Sequence, residues 1–257
     1  MGGESTTRTA TRDGGASRGQ AGSRTGQRLS GLAVALGLVL FLGGFAWGAV
    51  VYRPYTVPTS SMAPTIGAGA RVLAERIDGD QIRRGDVVVF TDKTWVTNAP
   101  VVKRVVATGG DTVSSTSGKL TVNGKKIDEP YLADDGLGEL QNFPSVTVPE
   151  GRLFLLGDER SGSLDSTAHL TDAASGTVAR SAVSARVDAV VWPMSGMLER
   201  PTGFEQLGAL SPQGPLRTVV ALILVGGVLV LAGGAYGPIE KRFAGRSRVR
   251  TEPAGAR

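Results

Sequence analysis

Ser60 and Ser61 stand side by side in "VPTSSMAPTI", Val57 to Ile66, directly after a long apolar run. A serine hydroxyl is a poor nucleophile until a base takes its proton. Histidine is the usual base, and His169 is the only histidine in 257 residues. It lies in a polar stretch, where a histidine is ordinarily solvated. Lysine is the alternative, but it must be neutral to act. Lys103 sits in "VVKRVV". In a strand its side chain shares a face with Val101 and Val105, while Arg104 points the other way. Such a face desolvates the amine and lowers its pKa. Bringing a lysine from about 10.4 to near neutrality takes roughly 3 units, or about 4 kcal/mol, and so requires real burial. Read singly, Ser61 also fits a membrane-exit linker, and Lys103 a surface lysine with its stem laid along the sheet.

Pro58 and Pro64 restrict φ on both sides of Ser61, which predicts a stiff, extended segment that aims the hydroxyl. Met62 and Ile66 are expected to touch lipid or to line a substrate pocket. The chain has no cysteine, which excludes disulfides and thiolate metal sites, and its single histidine excludes a multi-histidine site.

The elements that must position these residues follow from charge and hydropathy. The net charge is +5, but the tails (residues 1–28 and 237–257) carry +7 and the middle carries −2. Leu29 to Tyr52 contains no charge and is long enough to cross about 30 Å of hydrocarbon as a helix. Its length exceeds a signal-peptide h-region, so it reads as an uncleaved anchor, with Trp47 and Tyr52 at the interface. Thr218 to Tyr236 is a second uncharged run, closed by Lys241 and Arg242. Its Gly226-Gly227 and Gly233-Gly234 pairs suit close approach by another helix. Basic tails stay inside, so residues 53–216 are expected on the extracytoplasmic side. The domain plan is a disordered basic tail 1–28, a transmembrane helix 29–52, a catalytic β domain 53–216, a second transmembrane helix 217–237 and a basic tail 238–257. The basic tails serve this topology, and no nucleic-acid partner is expected.

The middle reads as mostly β, an antiparallel sheet domain between two transmembrane helices. "RRGDVVVF", "VVKRVVA", "RLFLLGD" and "ARVDAVVWP" are short β-branched or apolar runs. Asn123-Gly124 in "KLTVNGKKID" marks a hairpin, and "LGELQNFPSVTVPEG" a loop entering a strand. No segment of helical period and good length lies between 53 and 200.

Four segments in order, "PTSSMAPT", "RRGDVVVF", "KRVVATGGD" and "GDERSGSLDS", together with "VNGKKIDEPYL", resemble the boxes of type I signal peptidases, membrane-bound Ser-Lys endopeptidases. The resemblance covers roughly residues 45–195. It implies that Ser61 is the nucleophile and Lys103 the general base. It implies that the Thr59 hydroxyl and the Ser61 amide form the oxyanion hole. Ser163 is implied to orient the lysine, with Asp165 in support and Ser166 beside it. Gly157, Asp158 and Arg160 match the start of the last box. Two positions depart from the pattern: Glu159 stands where the family usually has Asn, and Thr167 where it usually has Arg. The usual Asp-Arg support is therefore missing in that form, with Arg160 and Arg186 as candidates to replace it. The activity implied is removal of signal peptides from exported preproteins by acyl transfer, without metal or cofactor, with preprotein signal peptides and membrane lipid as partners. The alternative is a non-enzymatic or weakly active anchored β module that binds envelope peptides.

Overall fold

A computed structural model describes residues 20–96, 99–132 and 140–248. The chain divides into two compact units, residues 1–45 with 220–257, and residues 46–219.

The first unit is built on the two long helices α1 (Gln20–Val51) and α2 (Leu216–Arg248). Gly26–Val51 and Leu216–Ala235 are long and apolar enough to cross a membrane. The glycine pairs do bring helices together. A Cβ on Gly226 would lie 2.5 Å from the backbone N of Phe41, and one on Gly233 would lie 2.7 Å from a methyl of Val34. Ser30 Oγ donates to the Gly233 carbonyl at 2.7 Å. The first glycine of each pair is thus the one the neighbouring helix requires.

Both helices overrun the apolar segments. α1 reaches back to Gln20, into the tail expected to lack structure, because a helix nucleated on an apolar run propagates at little cost. The expectation for residues 1–19 lies outside the described residues. At the other end α1 stops at Val51. Tyr52 is already in a strand and 6% exposed, its hydroxyl donating to Asp188 at 2.9 Å rather than lying at an interface.

The second unit is β-rich, as expected. Strands β1 (Tyr52–Val57), β2 (Ala70–Glu75), β3 (Val87–Phe90), β4 (Val101–Thr108), β5 (Thr112–Thr116) and β6 (Lys119–Val122) come first. They are followed by β7 (Lys125–Lys126), β8 (Phe143–Thr147), β9 (Arg152–Leu156), β10 (Thr177–Ala179), β11 (Val183–Trp192) and β12 (Gly196–Met197). One sheet has the order β1-β2-β11-β3-β4-β9-β10, with β12 beside β11. A smaller one has the order β7-β6-β5-β8. The pairings are antiparallel. Between residues 53 and 200, the described helical turns are short 3₁₀ segments. The Asn123-Gly124 turn joins β6 to β7 with φ of 52° and 74°, the left-handed pair of a tight hairpin.

Continuous apolar runs mark strands covered on both faces. In β3, Val87 and Val89 join a core with Met62, Ile66, Val72 and Val187, while Val88 and Phe90 join another with Val105, Leu153 and Leu155. In β9, Phe154 and Leu156 face a third core under the smaller sheet, with Val113, Leu120 and Phe143. Met62 and Ile66 are therefore core residues, fully buried, and not lipid or pocket contacts. Their apolar surface is more favourably removed from water inside the domain than left at its edge.

Candidate active site

The four boxes meet because of sheet order. β4 lies between β3 and β9. The register pairs Val88 with Lys103 on one side and Arg104 with Leu156 on the other. One step along that ladder, Lys103 comes beside Gly157, the first residue after β9. Boxes more than fifty residues apart in sequence thereby become neighbours.

Lys103 is 2% exposed. Burial among apolar neighbours pushes its amine down to about 8, partly opposed by the carboxylates of Asp165, Asp158 and Glu159. Its Nζ donates to Ser163 Oγ at 2.8 Å. That is its hydrogen bond among the described residues, and none joins Nζ to Ser61.

Ser61 does not lie on an extended segment. The chain turns after β1, with Ala63 N–H donating to the Ser60 carbonyl at 2.8 Å and Ile66 N–H to that of Met62 at 2.7 Å. The prolines flank this turn, and burial of Met62 and Ile66 closes it. Ser61 is thus held at a turn whose two apolar anchors are in the core. Thr59 Oγ1 donates to Ser61 Oγ at 3.2 Å. The Ser61 carbonyl accepts from the Glu159 N–H at 3.2 Å.

Gly157 joins the two halves. A Cβ there would lie 2.1 Å from Ser163 Oγ and 2.5 Å from the Ser61 carbonyl oxygen. Both groups crowd one point that only a hydrogen leaves open. Ser61, Ser163 and Lys103 are therefore in one cluster, linked through Ser163 and Gly157.

Asp165 is 1% exposed. One carboxylate oxygen accepts from Gly157 N–H at 2.9 Å, and the other from Thr167 N–H at 3.0 Å and Thr167 Oγ1 at 2.7 Å. The hydroxyl and amide of Thr167 thus occupy Asp165, and neither candidate arginine does. Arg160 pairs with Glu129 at 2.5 Å, and Arg186 with Glu75 at 2.6 Å. Ser166 is buried and faces away, accepting from Leu155 N–H at 2.8 Å and donating to the Gly176 carbonyl at 2.6 Å. His169 stacks on Trp95 with ring centroids 4.6 Å apart and pairs with Asp172 at 2.7 Å. It makes no hydrogen bond to Ser61.

Sequence reasoning missed the frame behind the cluster. Arg104 is 1% exposed. It donates from Nε at 2.8 Å and from a terminal nitrogen at 2.6 Å to the two oxygens of Asp158, and its guanidinium lies 3.9 Å over the Tyr131 ring. Arg160 donates to the Gly157 carbonyl at 3.0 Å as well as to Glu129. The fork of arginine matches a carboxylate in this way, and a buried charge demands such pairing. An arginine inside a valine run was the available signal, since an unpaired charge is not buried.

A family model described as "Signal peptidase, peptidase S26" matches residues 29–192, a span that contains every residue of the cluster. Signal peptidase I of Mycobacterium tuberculosis (strain ATCC 25618 / H37Rv) is 34% identical over 195 residues, covering 56% of this chain and 66% of its own. Signal peptidase I of Bacillus amyloliquefaciens is 35% identical over 142 residues, covering 52% and 70%. The chain thus spans about two thirds of the length of the mycobacterial protein. A crystal structure of a signal peptidase I from Enterococcus faecalis V583 aligns with 46% of this chain and 97% of its own at 26% identity, with a TM-score of 0.34. The two apolar helices accord with anchoring in a membrane. From the matched span and these identities, the chain belongs to the signal peptidase family, peptidase S26.

Proposed function

We propose that this chain is a membrane-bound serine endopeptidase that removes N-terminal signal peptides from exported preproteins. The observation that carries the reading is Lys103: a lysine amine 2% exposed, lowered to about 8, and hydrogen-bonded to a serine in the cluster that contains Ser61. A structural lysine gains nothing from such a place, because burying an ammonium costs several kcal/mol. A base working near neutral pH needs it.

In the mechanism, neutral Lys103 takes the proton of Ser61 as Oγ attacks the scissile carbonyl. The Thr59 hydroxyl and the Ser61 amide receive the developing oxyanion. Thr59 Oγ1, now donating to Ser61 Oγ, needs only to swing to the oxyanion. Protonated Lys103 then gives its proton to the leaving amine. The acyl ester on Ser61 is hydrolysed by a water that Lys103 activates. Ser163 holds the amine in line throughout, and Asp165 fixes the Gly157 backbone against which Ser61 and Ser163 are set.

The proposed topology has residues 53–216 outside and both termini inside, supported by the basic tails and the two apolar helices. Signal segments cross or enter the same bilayer, so a cut just beyond them falls where a nucleophile ten residues past α1 is waiting. The test is to incubate the detergent-solubilised full chain with a preprotein and sequence the new N-terminus. Cleavage at the signal junction by the wild type and none by Ser61→Ala is the expected result. No cleavage by either, or equal cleavage by both, refutes the reading. An external protease should spare both termini of the protein in intact cells, and a C-terminal tail cut from outside refutes the topology.

A further inference from the structure

Glu159 stands where the family pattern has Asn, and its environment gives the extra reach a use. Its backbone N–H donates to the Ser61 carbonyl at 3.2 Å. Its side chain reaches along the loop to the two residues before Ser163. Its carboxylate accepts from Gly162 N–H at 2.7 Å and from the Ser161 hydroxyl. Gly162 is fitted to that carboxylate, because a Cβ there would lie 2.4 Å from Glu159 Oε2. The next residue is Ser163, which holds Lys103.

We propose that Glu159 is a positioning residue for the reaction, bracing the Ser161–Ser163 turn against the backbone that carries Ser61. The inference rests on the serine endopeptidase reading above. One residue thereby couples the nucleophile to the group that orients the base. Its main chain holds the first and its side chain holds the second. With the turn released, Ser163 samples other orientations and Nζ loses its fixed direction. The penalty then falls on turnover, not on substrate binding, since the hydrogen bonds of Glu159 lead to the reacting groups through Ser163 and Ser61.

The carboxylate also acts through its charge. The charged groups around Lys103 are Asp158, Glu159 and Asp165 from the segment after β9, and Arg104 from its own strand. Across β3 it faces Val88, which has no charge. Asp158 is neutralised by Arg104 in a bidentate pair, and Arg160 is taken by Glu129. Asp165 is enclosed by backbone and hydroxyl donors. Glu159 has no cationic partner among the described ion pairs. Its field adds to those of Asp165 and Asp158 in raising the proton affinity of Lys103, against the burial that lowers it.

Three variants of the full chain separate brace from charge. Glu159→Gln keeps an acceptor for Gly162 N–H and a partner for Ser161, but loses the charge. Its plateau kcat should stay within about threefold of wild type, while the acid limb of the pH profile moves to lower pH. Glu159→Ala loses both hydrogen bonds, and its kcat should fall about tenfold with KM unchanged. Gly162→Ala pushes the carboxylate away and should copy that loss. Combining it with Glu159→Ala should add nothing further, the sign of one shared interaction. An unchanged kcat in Glu159→Ala, an unmoved limb in Glu159→Gln, or additive losses in the double variant overturns the proposal. Competitive acylation of Lys103 across pH, mapped by mass spectrometry in Ser61→Ala protein with and without Glu159→Gln, reads the charge effect without turnover. An inactive wild type with a shifted labelling curve refutes the peptidase reading alone. An active wild type with coincident curves refutes the role of Glu159 alone.

Discussion

Ser163→Ala removes the acceptor to which the buried amine of Lys103 donates at 2.8 Å. A buried donor left without its acceptor costs about 1–3 kcal/mol. Taken from the orientation of the neutral base, that is roughly a 5- to 150-fold fall in plateau kcat. The hydroxyl stabilises the ammonium more than the neutral amine, so its removal also lowers the lysine pKa below about 8. A base of pKa about 8 is roughly one tenth free at pH 7, and lowering that value frees more of it. The two effects oppose each other at pH 7 and separate at pH 9. The defect of Ser163→Ala should therefore be larger at pH 9 than at pH 7, with the acid limb displaced to lower pH. The assay is initial rates on one preprotein between pH 6 and pH 10, in one detergent, with kcat and KM resolved and circular dichroism as a check on folding. A variant whose plateau equals wild type, or whose limb moves to higher pH, refutes the orienting role.

Three further outcomes follow from the same geometry. Gly157→Ala places a methyl 2.1 Å from Ser163 Oγ and 2.5 Å from the Ser61 carbonyl, so it should lower kcat at least a hundredfold, measured on folded protein. Thr59→Ala should slow turnover by about 10²–10³ with KM little changed, and Thr59→Ser should restore much of it; a full-rate Thr59→Ala removes it from the oxyanion hole. Lys103→Met abolishes cleavage yet should stabilise the fold. The folded amine titrates near 8 against 10.5 when exposed, so below pH 8 its burial costs up to about 3 kcal/mol, and that cost fades as pH rises from 8 to 10.5. Urea unfolding at pH 7 should show the variant more stable by up to that amount and the gap closing by pH 10.5; a constant gap means that the amine is not strained by burial.

The sequence by itself carried what depends on local pattern and on residue type. Uncharged runs long enough for a bilayer, β-branched runs bounded by turn residues, and Asn123-Gly124 in a left-handed turn are written in consecutive residues. The candidate residues were legible because box order and residue type needed no geometry, but the valines at 101 and 105 left Lys103 either buried or laid along the surface, and only the fold buried it. Tertiary structure alone decided the rest. The two prolines read as holding Ser61 on an extended segment, but they serve a turn equally well, and burial of Met62 and Ile66 closed the turn instead. Arg104 gave no sign of its partner, because Asp158 lies 54 positions away and meets it only through the β4–β9 register. The support of Asp165 passed to Thr167, two residues along, a choice made by which donors the 3₁₀ turn turns inward. The use of Glu159 is of the same kind. Its charge is visible in the sequence, but its grip on the Ser163 turn exists only where β9 ends beside Lys103. Local sequence sets what each segment prefers, and the packing of distant segments sets which polar groups must find one another once water is excluded.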